Sequence, residues 1–111
     1  MQAQLGDTTY GTIKVMPSLD TCSANNFLAI KFFNTIPKKE KYVIRKQNIT
    51  VCTGSGKEST LAYYCKLPLH TKDSKGRHYI FNIPVWVVQF LNLGSNFIMK
   101  SKVFSALRLN S

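Results

Sequence analysis

The stretch Leu19-Asp20-Thr21-Cys22-Ser23-Ala24-Asn25-Asn26-Phe27 joins one apolar run to another through a cluster of small polar residues. Upstream of it, Ile13 and Val15 alternate with Thr12, Lys14 and Met16, a period of two that predicts a strand running into Pro17. Downstream, Phe27 to Phe33 is rich in large apolar residues and ends at Asn34-Thr35-Ile36-Pro37. It reads either as a buried strand or as one short helix, since periodicity does not arbitrate over so few residues. Asp20 is therefore an acid at the end of an apolar strand, whereas Asp7, Glu40, Glu58 and Asp73 stand in polar surroundings. With Thr21 and Ser23 close by, such a carboxylate can be held by hydroxyl and backbone hydrogen bonds and used for proton transfer. The plainer alternative is a turn Asp that caps local amides.

Further along, strands continue to dominate. Pro37 to Lys46 reads as a solvated basic connection leading into a strand. Ile49–Val51 and Leu61–Leu67 are β-rich runs flanking Thr53-Gly54-Ser55-Gly56-Lys57-Glu58-Ser59, a glycine-containing hairpin tip. A second hairpin is predicted from Leu67–His70, a turn at Lys72-Asp73-Ser74-Lys75-Gly76, and a strand from His78 to Val88 that contains Pro84. After Leu93-Gly94, Ser95 or Asn96 reads as the start of a short helix through Lys102. The expectation is an all-β, small closed fold in a single domain over residues 1–111, with one short C-terminal helix.

Composition narrows the function classes. The chain has 111 residues, 44% hydrophobic and 18% charged, as expected of one core-forming domain rather than a disordered chain or a multi-domain enzyme. Fifteen Lys and Arg against five Asp and Glu give a formal charge of +10, which favours acidic partners. No run approaches the roughly 18 apolar residues of a membrane span, so a soluble protein with no membrane partner is expected. The three cysteines, Cys22, Cys52 and Cys65, are an odd set that suggests free thiols in a reducing compartment. Cys52, Cys65, His70 and His78 lack the short paired spacing of a structural zinc site, so no metal is expected.

Residues 19–27 resemble the Asp-Thr/Ser-Gly-Ala/Ser active-site turn of retropepsin-like aspartic proteases. The likeness continues through Ile49–Leu69, where that family has its flap hairpin, and through Leu91-Asn92-Leu93-Gly94-Ser95-Asn96-Phe97-Ile98, which is similar to its hydrophobic-hydrophobic-Gly motif followed by a helix. The layout looks most like the proteases of LTR retrotransposons and related reverse-transcribing viruses. The resemblance implies a homodimeric endopeptidase without a cofactor, processing a viral or retroelement polyprotein in the host-cell cytoplasm or virion. Asp20 would be the catalytic carboxylate, Thr21 would brace the two facing turns, and Ser23 would orient the carboxylate. Cys22 and Ala24 would complete the turn, and Thr53, Gly54, Ser55, Gly56, Lys57, Glu58 and Ser59 would form the flap. The chain ends, Gln2–Thr9 and Phe104–Asn110, would add intersubunit strands. Ile83, Val85 and Trp86 are candidates for the substrate pockets, with a core role the leading reading for Trp86.

Two departures stand out: Cys22 replaces the family Gly in the tight turn, which bears on activity rather than on fold, and Asn92 replaces an aliphatic residue before Gly94. Two other functions compete. One is a basic β-module for single-stranded nucleic acid, using Lys38, Lys39, Lys41, Arg45, Lys46, Lys57, Lys66 and Arg77 with Tyr42, Tyr63 and Tyr64. The other is a protease-like dimerisation module that has lost catalysis.

Overall fold

The computed structural model describes residues 3–19, 25–53, 56–89 and 97–99. Over these the chain is mostly β, in a nearly closed, barrel-like sheet. The strands are β1 (Ala3–Leu5), β2 (Ile13–Val15), β3 (Ser18–Leu19), β4 (Phe27–Ala29), β5 (Val43–Thr53), β6 (Gly56–Lys72), β7 (His78–Val88) and β8 (Phe97–Met99). Their lateral order is β2-β1-β6-β7-β4-β8-β3, with β5 also paired to β6. Two short helical pieces complete the described chain: α1 (Ile30–Phe33) and a 3-10 turn at Lys39–Tyr42. No helix among the described residues is long and apolar enough to cross a membrane.

β6 organises the sheet. One edge carries β7 from Tyr63↔Val87 to Lys72↔His78. The other carries β5 as far as Cys65 and then β1 at Leu69 and His70, with the Gly6 amide donating to the Pro68 carbonyl at 3.0 Å. Alternate residues of β6 and β7 point to one face, so Cys65, Leu67 and Leu69 meet Val85, Ile83 and Phe81 across the ladder. The core is completed by Ala3 and Leu5 of β1, Val15 of β2, Leu28 of β4, Phe33 of α1, Ile36, and Phe97 and Met99 of β8. Burial of these side chains is the main stabilising term.

Several expectations need correction. Phe27–Phe33 is both things at once: three residues of strand, then a four-residue helix. That helix lies early in the chain, and the residues assigned to a C-terminal helix, Phe97–Met99, are instead strand β8. Ser95 and Asn96 supply a local helix-start signal, but β8 is held from both sides by β3 and β4, and that non-local pairing decides. The N-terminal strand pairs within its own chain on both edges, Ala3↔Val15 on one and Gln4↔His70 on the other. Ala3–Leu5 therefore has no edge left for an intersubunit strand. Phe104–Asn110 and the remainder of the C-terminal motif lie outside the described residues.

Candidate functional site

Asp20, Thr21, Cys22, Ser23 and Ala24 lie outside the described residues, but the segments on either side of them are placed. β3 pairs in parallel with β8 (Ser18↔Ile98, Leu19↔Met99), and β4 pairs antiparallel with the same strand (Phe27↔Ile98, Leu28↔Phe97). Residues 20–24 thus connect two strands that are not neighbours: β8 lies between them and is hydrogen-bonded to both. β4 is fixed on its other edge by parallel pairing with β7, Phe27↔Trp86 to Ala29↔Val88.

Asn26, just before β4, is 2% exposed. Its side-chain Nδ2 donates to the Pro84 carbonyl at 2.9 Å, and its own carbonyl accepts the Trp86 amide at 2.9 Å. The pairing of β7 with β4 begins only at Trp86, so the Pro84 carbonyl lies just beyond that ladder, where the Asn26 side chain extends it by one hydrogen bond. Asn26 reads in the sequence as one more polar linker residue; its place immediately before an apolar run was the available signal.

The register across six strands creates a second feature. Arg45↔Tyr64, Tyr64↔Trp86, Trp86↔Phe27, Phe27↔Ile98 and Ile98↔Ser18 are successive lateral partners. Directly opposed residues share a face, so Tyr64, Trp86, Phe27 and Ile98 form one apolar row. All four are only partly buried, whereas Val87, Leu28 and Phe97 in the adjacent row on the opposite face are 1%, 0% and 0% exposed. Of the three pocket candidates, Ile83 and Val85 therefore belong to the core, and Trp86, the expected core residue, belongs to the half-open face.

Arg45 reaches this row because of a bulge. The register steps from Val43↔Cys65 to Arg45↔Tyr64, leaving Ile44 as the extra residue. Without it, Arg45 would oppose Tyr63 on the other face. With it, the Arg45 guanidinium lies 4.8 Å from the Tyr64 ring centre and 5.8 Å from that of Trp86, while Lys46 sits 5.3 Å from Tyr63. The two rings themselves are 4.8 Å apart and tilted by 48°.

Beyond Tyr63, β6 has left β7 and pairs with β5 alone, so the two strands project as an arm. The predicted seven-residue tip is shorter than expected. Thr53 pairs with Gly56, and Lys57, Glu58 and Ser59 are ladder residues opposite Cys52, Val51 and Thr50. Gly54 and Ser55 lie outside the described residues. The polar composition of this segment resembles that of a loop because both faces of a projecting ladder meet solvent.

The remaining candidates separate. Lys41 is engaged with Tyr10, its Nζ 3.2 Å from the hydroxyl. Lys39 donates to Asn34, and Arg77 pairs with Asp73. Tyr42 accepts the Asp7 amide at 2.8 Å. Of the expected nucleic-acid surface, Arg45, Lys46, Tyr63 and Tyr64 are brought together at the base of the arm. Cys65 is a free, buried thiol whose pKa burial pushes up to about 12, so it is no nucleophile near neutrality. His70 Nε2 donates to the Gly6 carbonyl at 2.6 Å and its Nδ1 faces His78 Nε2 at 3.1 Å, tying the second hairpin to β1.

Compared with protein-family models, curated proteins and solved structures, the chain finds no match.

Proposed function

We propose that the chain is a retropepsin-like aspartic endopeptidase of a retroelement or related virus, active as a homodimer with one Asp20 per chain. The observation that carries this reading is the insertion of β8 between β3 and β4. A catalytic carboxylate needs a segment whose position is fixed before substrate arrives. The described residues that flank 20–24 are held, Ser18 and Leu19 by pairing with β8, and Asn26 and β4 by the Pro84 carbonyl, β7 and β8. The projecting β5–β6 arm supports the same reading, as an element suited to closing over an extended peptide.

The chemistry requires two carboxylates. Two like charges a few ångströms apart do not both ionise near neutrality, so an Asp20 pair would share a proton. The ionised member takes a proton from water as it attacks the scissile carbonyl, and the protonated member donates to the carbonyl oxygen. Thr21 would brace the two turns against each other and Ser23 would orient the carboxylate. A chain with a single such segment supplies both acids only by dimerising.

The test is cleavage of an apolar-rich peptide library between about pH 4 and 7, the range over which a coupled pair changes protonation. The parent is expected to cut with an acidic optimum, and Asp20→Asn is expected to abolish cutting while circular dichroism stays unchanged. Cys22→Gly reports whether the side chain in the turn limits the rate: a gain means that it does. Cleavage that survives Asp20→Asn rejects the mechanism, and no cleavage by the parent or by Cys22→Gly favours a non-catalytic module. A second reading, a single-strand nucleic-acid module, rests on the cations stacked on Tyr63, Tyr64 and Trp86. It requires binding that weakens steeply with salt.

A further inference from the structure

We infer that the row from Arg45 to Ile98 is a peptide subsite that selects a large apolar side chain followed or preceded, within about four residues, by a carboxylate side chain. This rests on the endopeptidase reading and adds the substrate class to it. Strands in a sheet are about 4.8 Å apart, so Tyr64, Trp86, Phe27 and Ile98 span roughly 14 Å, the reach of about four extended residues. The row is apolar along that length and carries its cation at one end only, at Arg45.

That cation is preordered. Its guanidinium carbon lies 4.8 Å from the centre of the Tyr64 ring and 5.8 Å from that of Trp86, so cation–π attraction holds the group at the end of the row. A cation–π contact leaves the N–H donors of a guanidinium available for a carboxylate, which Arg can hold in bidentate fashion. Arg45 is exposed, and among the described residues the ion pair formed is Arg77 with Asp73, so Arg45 has no acid there. A cation already held in place loses little side-chain entropy when its ligand arrives. The Ile44 bulge matters because it alone puts Arg45 on the same face as the apolar row.

A nucleic-acid strand is the poorer fit to this surface. It would present a phosphate at every step and demand cations along its track. Along its own length the row offers one, at its end; Lys66, two residues on from Tyr64 and so on the same face, flanks the row opposite Pro84, and Lys46 lies against Tyr63 on the opposite face of the arm. A peptide with one apolar anchor and one acid matches the distribution.

Trp86 is the single tryptophan of the chain, so its fluorescence reports on the row directly. The experiment titrates the parent and the non-cleaving Asp20→Asn variant with octapeptides identical except that the residue next to a central Phe is Glu or Lys. The Glu peptide is expected to bind about tenfold tighter than the Lys peptide at low salt. Arg45→Gln is expected to erase the difference and Arg45→Glu to invert it, with melting temperature showing that each variant is folded. Equal binding of the two peptides, or a preference that survives Arg45→Glu, overturns the inference. So does an oligo-dT strand that perturbs Trp86 at lower concentration than either peptide, which would assign the row to nucleic acid. Because binding is read without cleavage, a parent that binds selectively but does not cut sinks the protease reading alone. A parent that cuts without charge preference sinks this inference alone.

Discussion

The two halves of β6 are one strand in two environments. From Tyr63 to Lys72 it has β7 along one edge and alternates between core and half-open faces, with Cys65, Leu67 and Leu69 fully buried. From Gly56 to Leu61 it pairs only with β5, and its residues are exposed or partly so. The hydrogen-bond ladder is continuous across the boundary, but the apolar burial is not. Continuous pairing gives the arm direction, while stability resides in the body. An element built this way can change its contacts at its far end without unfolding the sheet at its base.

The sharpest contrast is truncation of one residue on each side of that boundary. Phe97→Ala, in the body, removes a fully buried ring from β8 and is expected to cost about 3–5 kcal/mol in denaturant unfolding. Leu61→Ala, in the arm, shortens a residue that is 50% exposed and is expected to change stability by about 0.5 kcal/mol or less. Comparable losses at the two positions would break the distinction between body and arm.

A smaller contrast comes from two glycines with similar backbones. Gly6 and Gly56 have φ of +119° and +123°, a region L residues rarely adopt. At Gly6 a β-carbon would also lie 2.8 Å from the Gly11 carbonyl oxygen, whereas at Gly56 nothing lies within 4 Å. Gly6→Ala therefore combines backbone strain of roughly 1–3 kcal/mol with a collision. Gly56→Ala pays the strain alone and is expected to lower the melting temperature less. Equal effects would mean that the approach of the Gly6 turn to Gly11 is not tight.

The smallest effect concerns the loop between β6 and β7. The Asp73 carboxylate is partly desolvated, which raises its pKa, but donors from Arg77, Tyr79 and Lys75 outweigh this and hold it below the ordinary 3.8. A depressed folded-state pKa contributes stability that is present above the unfolded value and is lost as pH falls through the lower folded one. The parent should therefore lose melting temperature below about pH 4, and Asp73→Asn should flatten part of that acid limb. An unchanged acid limb in Asp73→Asn would show that other carboxylates set it.

Local signals in the sequence reached some of this structure. The alternation at Ile13–Val15 and the Asp73–Gly76 turn before His78 both correspond to observed elements, because a strand beside a polar turn is written in contiguous residues. The full lengths of β5 and β6 were not legible, since a ladder exposed on both faces has no apolar alternation to read. β8 was misread because three apolar residues after Ser95-Asn96 carry no periodicity, and their partners lie some 70 residues or more away in sequence. Of the candidate site, the acid in its apolar setting was visible. Asn26 was not legible as a support beside it, and Arg45 reads only as one of a basic set, because one depends on the Pro84 carbonyl and the other on a bulge, and neither pairing register can be read from local spacing.

The central claim, one catalytic Asp20 from each of two chains, is most directly tested by active-site titration with a tight statine-type transition-state mimic, followed by calorimetry at about pH 5. Saturation is expected at one inhibitor per two chains, with binding lost in Asp20→Asn. Saturation at one inhibitor per chain, or undiminished binding to Asp20→Asn, would contradict it.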